Sequence, residues 1–395
     1  MDDIAILGAG MTPWGKLGRP FVEYGVVAAK EALADAGIDW NDVGLVSGAN
    51  TVRNGYPGWV SGSTFANALG FQGAQLSSSY AACASGATAL TIARAQIIAG
   101  VCDVALVIGA DTTPKGFFAP VAGDRPDDPD WLRFRIAGMT NPAYFGLFAR
   151  RRMELYGDTT DDFAAVKAKN SRHGVHNPRA RYNKEYSVDD VANSPVVADP
   201  LRLLEICATS DGGAALVISS MEYAKAKGFT DPVRVTGIST VGPSYPNAVI
   251  DMPYLASDSW NAAGDSDHTF KRDIAQVAYD EAGIGPDDLD LAEVYDLSSA
   301  YELEWYERIG LCADGEATRL LRDGDTSLGG RIPVNVSGGL GAFGEAIPAQ
   351  AIAQVCELTW QLRGESGHRQ VDDAHIGLTI NYGMFGHGSS VIVQR

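Results

Sequence analysis

Apolar and polar residues follow one another in blocks near the start of the chain, and these blocks predict strands and helices in turn. Residues 4–7 form a short apolar run that leads into glycines, which predicts a strand and then a tight turn. Residues 21–37 carry apolar side chains at helical spacing and close on a glycine, which is the pattern of an amphipathic helix. Residues 42–47 predict a buried strand, so the chain opens in an α/β pattern.

The glycines at residues 8–10 half resemble a dinucleotide-binding fingerprint. The third glycine of that fingerprint is missing, and Pro13 argues against a helix that starts on a phosphate group. We therefore expect no nucleotide site here, and the tight turn is the better interpretation.

The second part of the chain repeats the pattern. Residues 36–46 (AGIDWNDVGLV) are echoed with the same spacing by residues 282–292 (AGIGPDDLDLA), and the first strand has a counterpart in residues 233–238. Two such halves predict a duplicated α/β domain with a pseudo-twofold axis, and the halves meet near residue 230. The other predicted elements are a helix and a strand at residues 87–100 and 103–110, and a glycine-rich stretch, a helix and a strand at residues 337–344, 347–361 and 376–381.

Residues 112–200 interrupt this pattern with turns rich in proline, glycine and acidic residues. The segment is too long for a structureless loop in a compact domain, so we expect a small subdomain with helices of its own. The predicted organisation is an N-terminal half at residues 1–111 and 201–230, an inserted loop domain at residues 112–200, and a C-terminal half at residues 231–395.

Composition indicates a globular protein and argues against a membrane span and against nucleic acid as a partner. The 395 residues are 46% hydrophobic with a mean hydropathy of -0.05, and no apolar run approaches the ~18 residues that a membrane span requires. A net charge of -18 argues against nucleic acid, because phosphate contacts need a basic face. The acidic start of the sequence lacks the pattern of a signal peptide, so we expect a cytoplasmic protein.

Five cysteines lie scattered along the chain, and none belongs to a Cys-x-x-Cys pair. An odd number without paired spacing argues against a disulfide framework and against a zinc site, so we expect reduced thiols and no bound metal. The five are Cys83, Cys102, Cys207, Cys312 and Cys356.

Cys83 lies in SSSYAACASG, residues 77–86, where a strand-like segment gives way to a helix of small residues. The unpaired amides and the positive end of that helix would favour a thiolate, which is how a nucleophile is presented. The alternative is a small buried side chain, the commonest fate of a free cysteine, and the residues alone favour it.

Basic residues cluster in the inserted segment, where residues 150–184 hold nine of the 31 lysines and arginines. In an acidic protein such a patch could receive a phosphorylated ligand. The alternative is a solvated helix face balanced by neighbouring acids, which the residues alone somewhat favour. The candidate ligand contacts in this patch are Arg150, Arg151, Lys167 and Arg181.

Five stretches, taken in order, resemble the thiolase superfamily and, within it, the sterol-carrier-protein or lipid-transfer-protein thiolases. They are SSSYAACASG, DPLRLL, SDGGAA, VNVSGG and QLRG, at residues 77–86, 199–204, 210–215, 334–339 and 361–364. The resemblance implies an α/β, thiolase-like fold in which two duplicated βα halves form a five-layered α/β/α/β/α core with an inserted loop domain. It also implies that this loop domain receives coenzyme A, through the basic patch, and that the protein is a homodimer. Cys83 takes the place of the family's nucleophile, which reverses the interpretation from the residues alone.

Two histidines of the family are replaced. The first belongs to a His-Asp-Cys-Phe motif that helps to hold a thioester oxygen, and residues 293–299 (EVYDLSS) put Tyr295 in its place. A phenol can donate a hydrogen bond to a developing oxyanion. The second belongs to a Gly-His-Pro motif, and residues 344–346 put Glu345 there, where a carboxylate could act as a base toward a substrate hydroxyl. The alternatives are a tyrosine packed at a strand end and an acid that stabilises a helix N-terminus.

The family's C-terminal Cys-x-Gly loop corresponds to residues 381–388 (NYGMFGHG), which contain no cysteine. Its glycines, Gly383 and Gly386 among them, could bring backbone amides close to the site. His387 is the one histidine in a motif-like position and is a further candidate.

With both histidines and the second cysteine replaced, the resemblance implies chemistry like that of the branch's steroid side-chain aldolases. Those enzymes cleave a β-hydroxyacyl-CoA by a retro-aldol reaction and carry a tyrosine in the first motif, but they have a second tyrosine where this chain has Glu345. We expect Glu345 to act as the base or to orient a water, and Tyr295 to donate a proton. The Cys83 amide and the C-terminal loop would complete an oxyanion site.

Two other functions stay open from the sequence. One is a thiolase that acts through an acyl-Cys83 intermediate, and the other is a non-catalytic subunit that binds acyl-CoA or lipid. Coenzyme A is expected as part of the substrate, and no tightly bound cofactor is expected. The resemblance also implies a small partner protein made of a zinc ribbon and an OB fold.

Overall fold

The computed structural model describes residues 3–50, 60–113, 140–243, 270–383 and 387–395. The strands are β1 (Ile4–Met11), β2 (Leu45–Ala49), β3 (Gln75–Ser79), β4 (Val104–Asp111), β5 (Val196–Ala198), β6 (Leu201–Arg202), β7 (Gly212–Ser220), β8 (Val233–Val241), β9 (Leu291–Glu293), β10 (Ile376–Gly383) and β11 (His387–Gln394). The α-helices are α1 (Phe21–Ala36), α2 (Ser61–Leu69), α3 (Ser85–Ile98), α4 (Asn141–Tyr156), α5 (Thr160–Val175), α6 (Val188–Ala192), α7 (Met221–Ala226), α8 (Phe270–Ala282), α9 (Ser299–Arg308), α10 (Ala317–Arg322), α11 (Gly339–Ala342) and α12 (Ile347–Arg363).

Nine of the strands form one mixed sheet in the order β3-β2-β4-β7-β1-β8-β11-β10-β9. β2 runs parallel to β3 and β4, whereas β7 lies antiparallel between β4 and β1. The two halves of the chain meet at the antiparallel pair of β1 and β8, where Ile4 faces Val235 and Ile6 faces Val233. Backbone hydrogen bonding therefore runs from one half into the other.

The echo between residues 36–46 and 282–292 corresponds to the same local structure in both halves. α1 and α8 each end in Ala-Gly, and the two glycines, Gly37 and Gly283, take left-handed φ values of 62° and 70°. Glycine adopts this conformation without a steric cost, so it closes both helices. A short 3-10 turn and then β2 or β9 follow in each half, which confirms the predicted duplication.

β1 continues through the glycines at residues 8–10, with a shift of its register to β7 between Ile6 and Gly8, so the predicted tight turn is wrong. A Cβ at Gly8 would lie 2.2 Å from the carbonyl oxygen of Ala32 in α1. The same arrangement recurs in the second half, where a Cβ at Gly237 of β8 would lie 2.3 Å from the carbonyl oxygen of Ala278 in α8. These glycines let a helix approach the strand closely, which is a role that the sequence pattern does not distinguish from a turn.

α3 and α12 form the central layer between the two halves of the sheet. α12 packs against β4 and β7 on one side and β10 on the other, and α3 packs against β2 and β4 as well as β8 and β11. α1 and α2 cover the outer face of the first half, and α8 covers that of the second. The layers therefore follow the α/β/α/β/α order that the resemblance implies.

The described part of the inserted segment is helical. α4 and α5 have 16 residues each, and α5 begins with a reciprocal cap in which Thr159 and Asp162 bond each other's backbone amides. The segment packs against α9, where the rings of Phe148 and Tyr301 stack with centroids 4.5 Å apart. The limits of residues 112–200 for this subdomain stay a prediction.

Three clusters of buried apolar side chains fill the space between the layers. The first surrounds α3 and α12, the second joins the second half of the sheet to α4, α5 and α9, and the third lies between the first half of the sheet and α1 and α2. Cys83 and Tyr295 both belong to the second cluster. None of the described helices has the length and apolar character needed to cross a membrane.

Candidate active site

Cys83 lies in the loop between β3 and α3, immediately before the helix begins. Its neighbour Ala82 has a left-handed φ of 48°, which is uncommon for a residue with a Cβ. Ser85 holds this bend, because its Oγ accepts a hydrogen bond from the Ala81 amide at 2.9 Å and donates one to the Ala82 carbonyl at 2.6 Å. Cys83 is only 9% exposed, so the loop presents the thiol to the interior of the protein.

Tyr295 and Glu345 come together beside this loop. Tyr295 follows β9 and Glu345 precedes α12, and Tyr295 Oη donates a hydrogen bond to Glu345 Oε1 at 2.6 Å. Neither residue is more than 2% exposed. The pKa of Tyr295 is raised well above its ordinary value, first by burial and then by Cys83 and Glu345, which both hydrogen-bond with the phenol. The phenol therefore stays protonated at neutral pH, and thiol, phenol and carboxylate form one buried cluster.

The backbone on both sides of Tyr295 is tied to the glycine-rich stretch that leads to α12. The amide of Val294 donates to Asn335 Oδ1 at 2.8 Å, and Asp296 Oδ1 accepts from the Leu340 amide at 2.7 Å. These bonds set the distance between the loop after β9, which carries Tyr295, and the loop before α12, which carries Glu345.

Residues 206–210, which we call the bridging segment, hold Glu345 from the other side. The Glu345 amide donates to the Ala208 carbonyl at 2.9 Å, and the Glu345 carbonyl accepts from the Ser210 amide at 2.7 Å. Gly344 makes this approach possible, since it has a φ of 120° and a Cβ there would lie 2.3 Å from Ser210 Oγ. The carboxylate is therefore fixed by its own backbone as well as by Tyr295.

Cys207 belongs to the cluster, although the sequence did not single it out. Its amide donates to the Leu297 carbonyl at 3.0 Å, which ties the bridging segment to the loop after β9. The pKa of its thiol is raised well above the ordinary value, first by burial and then by the nearby Glu345 carboxylate. Cys83 also contributes to this shift. The neighbouring SDGGAA motif was the one signal that could have drawn attention to this cysteine.

The C-terminal hairpin touches the cysteine loop. A Cβ at Gly383 would lie 3.1 Å from the Ala81 carbonyl oxygen and 3.3 Å from Ala82 Cβ, so the end of β10 packs on the residues before Cys83. His387 faces Gly383 across the hairpin, and its side chain is exposed. Gly386 lies outside the described residues. A role for this hairpin in the reaction stays a prediction.

Two of the four basic candidates are built into the loops around the cluster. Lys167 is 3% exposed and its Nζ donates to the Gly341 carbonyl, and burial lowers its pKa to about 8 against the attraction of Asp296. Arg181 donates from Nη1 to the carbonyl of Thr209 in the bridging segment. Both side chains support the backbone around the site. Contact between either of them and coenzyme A stays a prediction.

The other two candidates lie on α4. Arg150 is exposed and forms an ion pair with Asp199, and Arg151 is half-buried. Contact between these residues and coenzyme A stays a prediction.

The cluster offers a carboxylate that can accept a proton, a phenol that can donate one, and two thiols. A carboxylate and a phenol within hydrogen-bond distance are suited to general acid–base catalysis. Within the described ranges, no group of three or more His, Cys, Asp or Glu side chains is arranged to hold a metal ion.

Family models match both halves of the chain. The model described as "Thiolase, N-terminal domain" covers residues 4–222, and "Thiolase C-terminal domain-like" covers residues 256–395. The chain belongs to the thiolase superfamily. This confirms the resemblance drawn from the five motifs and the fold that it implies.

The relatives of this thiolase-superfamily protein are named for different activities. Sterol carrier protein 2 from Bos taurus is 33% identical over 99% of the chain and 71% of its own length. Acetyl-CoA acetyltransferase from Methanothermobacter thermautotrophicus is 32% identical over 99% of both chains. Among solved structures, the Ltp2-ChsH2(DUF35) aldolase is similar with a TM-score of 0.82 and 27% identity, over 99% of this chain and 97% of that one. The chain is thus a thiolase-superfamily enzyme of the sterol-carrier-protein type, whose relatives include both an acyltransferase and an aldolase.

Proposed function

We propose that this enzyme cleaves a carbon–carbon bond in a β-hydroxyacyl-CoA by a retro-aldol reaction. The observation that carries the proposal is the buried hydrogen bond of 2.6 Å between Tyr295 and Glu345 beside Cys83. The two places that hold histidines in thiolases here hold a bonded acid–base pair. Such a pair suits proton transfer to and from a substrate better than it suits activation of a thiolate, because a carboxylate beside a thiol raises the thiol's pKa.

The reaction needs a base at the β-hydroxyl and hydrogen-bond donors at the thioester oxygen. The Glu345 carboxylate takes the hydroxyl proton, the freed electron pair forms a carbonyl group, and the Cα–Cβ bond breaks. Its electrons pass onto the thioester as an enolate. Tyr295 then protonates Cα and recovers its proton from Glu345 through their hydrogen bond. The products are an aldehyde or ketone and a shorter acyl-CoA, and no co-substrate is consumed.

In this mechanism Cys83 contributes its backbone amide and part of the pocket wall. The positive end of α3 favours negative charge on the thioester oxygen. Gly383 packs on the same loop, which supports a role for the C-terminal hairpin in the oxyanion site.

The likeness to an aldolase over almost the entire chain supports this type of reaction. Steroid and other side-chain acyl groups are the proposed substrate class. Coenzyme A would enter as part of the substrate, with Arg150 and Arg151 on α4 as its candidate contacts.

The experiment incubates purified protein with β-hydroxyacyl-CoA thioesters that carry steroid, aromatic or short aliphatic chains. Release of an aldehyde or ketone together with acetyl-CoA or propionyl-CoA would support the proposal. CoA-dependent thiolysis of acetoacetyl-CoA at ordinary thiolase rates would overturn it. Glu345→Gln is expected to slow the cleavage by about 100-fold or more, since it removes the base.

An acyltransferase that works through acyl-Cys83 is the second candidate. The placement of the thiol directly before α3 and the likeness to an acetyl-CoA acetyltransferase favour it. An acyl group trapped on Cys83, together with complete loss of activity in Cys83→Ala, would establish this function in place of the first. The retro-aldol mechanism instead expects Cys83→Ala to keep part of the activity, because it leaves the amide in place.

A non-catalytic subunit that binds acyl-CoA or lipid is the third candidate, since the aldolase structure similar to this chain contains a second protein. Full activity of a complex after both Tyr295→Phe and Glu345→Gln would favour it. We propose a small zinc-ribbon and OB-fold protein as the partner, and co-expression followed by size-exclusion chromatography tests for it.

We also propose a cytoplasmic homodimer. β3 forms one edge of the sheet and, among the described strands, pairs with β2 alone, while Leu76 on this edge is 44% exposed. An open edge of this kind can pair with a second copy of the chain. Sedimentation equilibrium should give twice the chain mass of 41.8 kDa, and cell fractionation tests the location.

A further inference from the structure

The VNVSGG stretch at residues 334–339 contains a fully buried asparagine, Asn335, with a left-handed φ of 57°. Few residues with a Cβ adopt this conformation, and asparagine is one of those that do. Such a bend persists only where the surrounding structure holds it. Asn335 makes hydrogen bonds on three sides that do so.

On the first side, Asn335 holds the chain that enters Tyr295. Its Oδ1 accepts a hydrogen bond from the Val294 amide at 2.8 Å, and its own amide donates to the Ala292 carbonyl at 2.8 Å. Tyr295 directly follows Val294. Asn335 therefore fixes the backbone from β9 to the residue before the phenol.

On the second side, the nitrogen of the same side chain bonds to a buried carboxylate. Asn335 Nδ2 donates to Glu302 Oε2 at 2.7 Å. Lys169 Nζ and Asn170 Nδ2, both on α5, donate to the two oxygens of this carboxylate at 2.5 Å each. A flipped Asn335 amide would face donor with donor and acceptor with acceptor, so its orientation is fixed.

On the third side, a buried histidine of α5 holds the backbone of the bend. His173 Nδ1 lies 3.0 Å from the Asn335 carbonyl oxygen, and the Leu328 amide nitrogen lies 3.0 Å from His173 Nε2. The Leu328 amide can only donate, so Nε2 accepts and the ring proton is on Nδ1, which donates to Asn335. Burial lowers the pKa of His173 to about 3, which keeps the ring neutral near pH 7.

We propose that Asn335 is a positioning residue for the reaction, which His173 holds in its bend and which sets the place of Tyr295 against Glu345. The inference rests on the proposed function, because it concerns the acid–base pair of that reaction. The bond between phenol and carboxylate is short, at 2.6 Å, and its strength depends on distance and angle. A small shift of the Tyr295 backbone therefore slows proton transfer without changing the contacts to coenzyme A.

The first experiment compares Asn335→Gly with Asp373→Gly. Glycine adopts a left-handed bend without a steric cost, so Asn335→Gly removes only the side-chain bonds. Asp373 is exposed, has a φ of 53° and precedes β10, whose other end packs on the cysteine loop, so Asp373→Gly is the same kind of change away from the site.

Steady-state kinetics of the cleavage measure both variants. In Asn335→Gly kcat should fall by about 10- to 100-fold while KM changes by less than about twofold. Asp373→Gly should match the wild type. A folded Asn335→Gly with an unchanged kcat, or with a change in KM alone, would overturn the inference.

The second experiment uses His173 and tests the inference even if Asn335→Gly does not fold. His173→Asn has an amide nitrogen near the place of Nδ1 and still donates to the Asn335 carbonyl. His173→Gln has an amide oxygen near the place of Nε2 and still accepts from Leu328, but it loses the bond to Asn335. Each variant lacks one hydrogen bond, and kcat should be lower in His173→Gln by about fivefold. Equal kcat values would contradict the inference.

Crystal structures of the wild type and the variants give a readout that does not depend on activity. The distance from Tyr295 Oη to Glu345 Oε1 should exceed about 3.0 Å in Asn335→Gly and keep its wild-type value in Asp373→Gly. An unchanged distance in Asn335→Gly rejects the inference even in an active enzyme. A longer distance in a protein without lyase activity rejects the proposed function and leaves the positioning of Tyr295 by Asn335 established.

Discussion

The Tyr295 phenol donates a hydrogen bond to the Glu345 carboxylate, and both groups are buried. We therefore treat the two side chains as one acid–base pair. The carboxylate cannot reach bulk water, so a proton that it takes from a substrate has to leave through a neighbouring group. The 2.6 Å hydrogen bond to Tyr295 provides that route. At the scale of single residues, the proposed mechanism therefore depends on this hydrogen bond as much as on either side chain.

Tyr295→Phe removes this route and one donor to the carboxylate. We expect a loss of kcat for cleavage of about 100-fold or more, measured by steady-state kinetics. Tyr279→Phe is the matched control, since Tyr279 is also buried and donates to the Ile309 carbonyl at 2.9 Å outside the cluster. Equal losses in the two variants would contradict the assigned role of Tyr295.

Glu205, which directly precedes the bridging segment, predicts a pH dependence of stability. Burial raises its pKa from 4.5 to about 7, although Glu205 Oε2 accepts a hydrogen bond from the Arg202 amide at 2.8 Å. Because the folded state binds this proton more tightly, its contribution to stability is complete below about pH 4.5 and is lost as the pH rises to about 7.

Glu205→Gln keeps an oxygen for the Arg202 amide and has no charge to bury. It should match the wild type at about pH 4 and exceed it by up to about 3 kcal/mol in the free energy of unfolding at about pH 8. Denaturant titrations at the two pH values measure this difference. A difference between the two proteins that does not depend on pH would count against the raised pKa.

Tyr295 and Glu345 were predicted from their positions in motifs, and the structure places them in contact. Cys207 was missed, because its relation to Glu345 joins segments 138 positions apart and no local pattern records such a contact. A sequence motif identifies a residue at a position already known in the family. It does not show which residues of other segments, such as Cys207, lie next to that position in the folded protein.

Among the elements, the loop before α12 is the most constrained. Gly344 has a left-handed φ of 120°, and Ser210 Oγ lies close to it. Any other residue at position 344 would therefore strain the backbone, and its Cβ would clash with Ser210 Oγ. The glycine allows the bridging segment to lie directly against Glu345.

Gly344→Ala is expected to lower the free energy of unfolding by about 2–4 kcal/mol, from backbone strain and overpacking together. Gly228→Ala is the control, since Gly228 also has a left-handed φ, of 91°, but a Cβ there would meet nothing within 4 Å. It should cost about 1 kcal/mol from strain alone. Urea denaturation measures the free energy of unfolding of both variants. A similar loss in the two would show that the Ser210 side chain can move aside without a further energetic cost.

Periodicity predicted α1, α3, α12 and the strands between them, because each has a clear apolar face or an apolar run. It was wrong for the glycines of β1. In a sequence, a glycine that lets a helix pack closely on a strand cannot be distinguished from a glycine that forms a turn. For residues 112–200 the sequence predicted helices without giving their limits. α4 carries three consecutive arginines, of which Arg152 is buried and Arg150 is exposed, so its sequence has no clean apolar face.

At the scale of the whole molecule, the site is assembled from both halves. Cys83 comes from the first half and Tyr295 and Glu345 from the second, and α12 packs between them against β4. A Cβ at Gly109 of β4 would lie 2.2 Å from the Pro348 carbonyl oxygen, so this glycine sets how closely α12 approaches the first half. The repeat in the sequence predicts the two halves, but not this junction, which depends on contacts between distant segments.

Gly109→Ala should therefore push α12 away from β4 and lower the free energy of unfolding by about 1–3 kcal/mol. It should also reduce activity, because α12 follows directly from Glu345. Gly15→Ala is the control, since the nearest atom to a Cβ there is in the Leu17 side chain at 3.5 Å, and it should change stability by less than about 0.5 kcal/mol. Guanidinium denaturation measures the stability, and the cleavage assay measures the activity. An unchanged activity in Gly109→Ala would show that the packing of α12 on β4 does not control the geometry of the site.

The pairing of β1 with β8 also restricts how the enzyme can move. Because hydrogen bonds continue across the boundary between the halves, a hinge that opened them would have to break part of the sheet. Substrate entry and product release therefore depend on segments outside the sheet, and the distances among Cys83, Tyr295 and Glu345 should stay the same throughout a catalytic cycle.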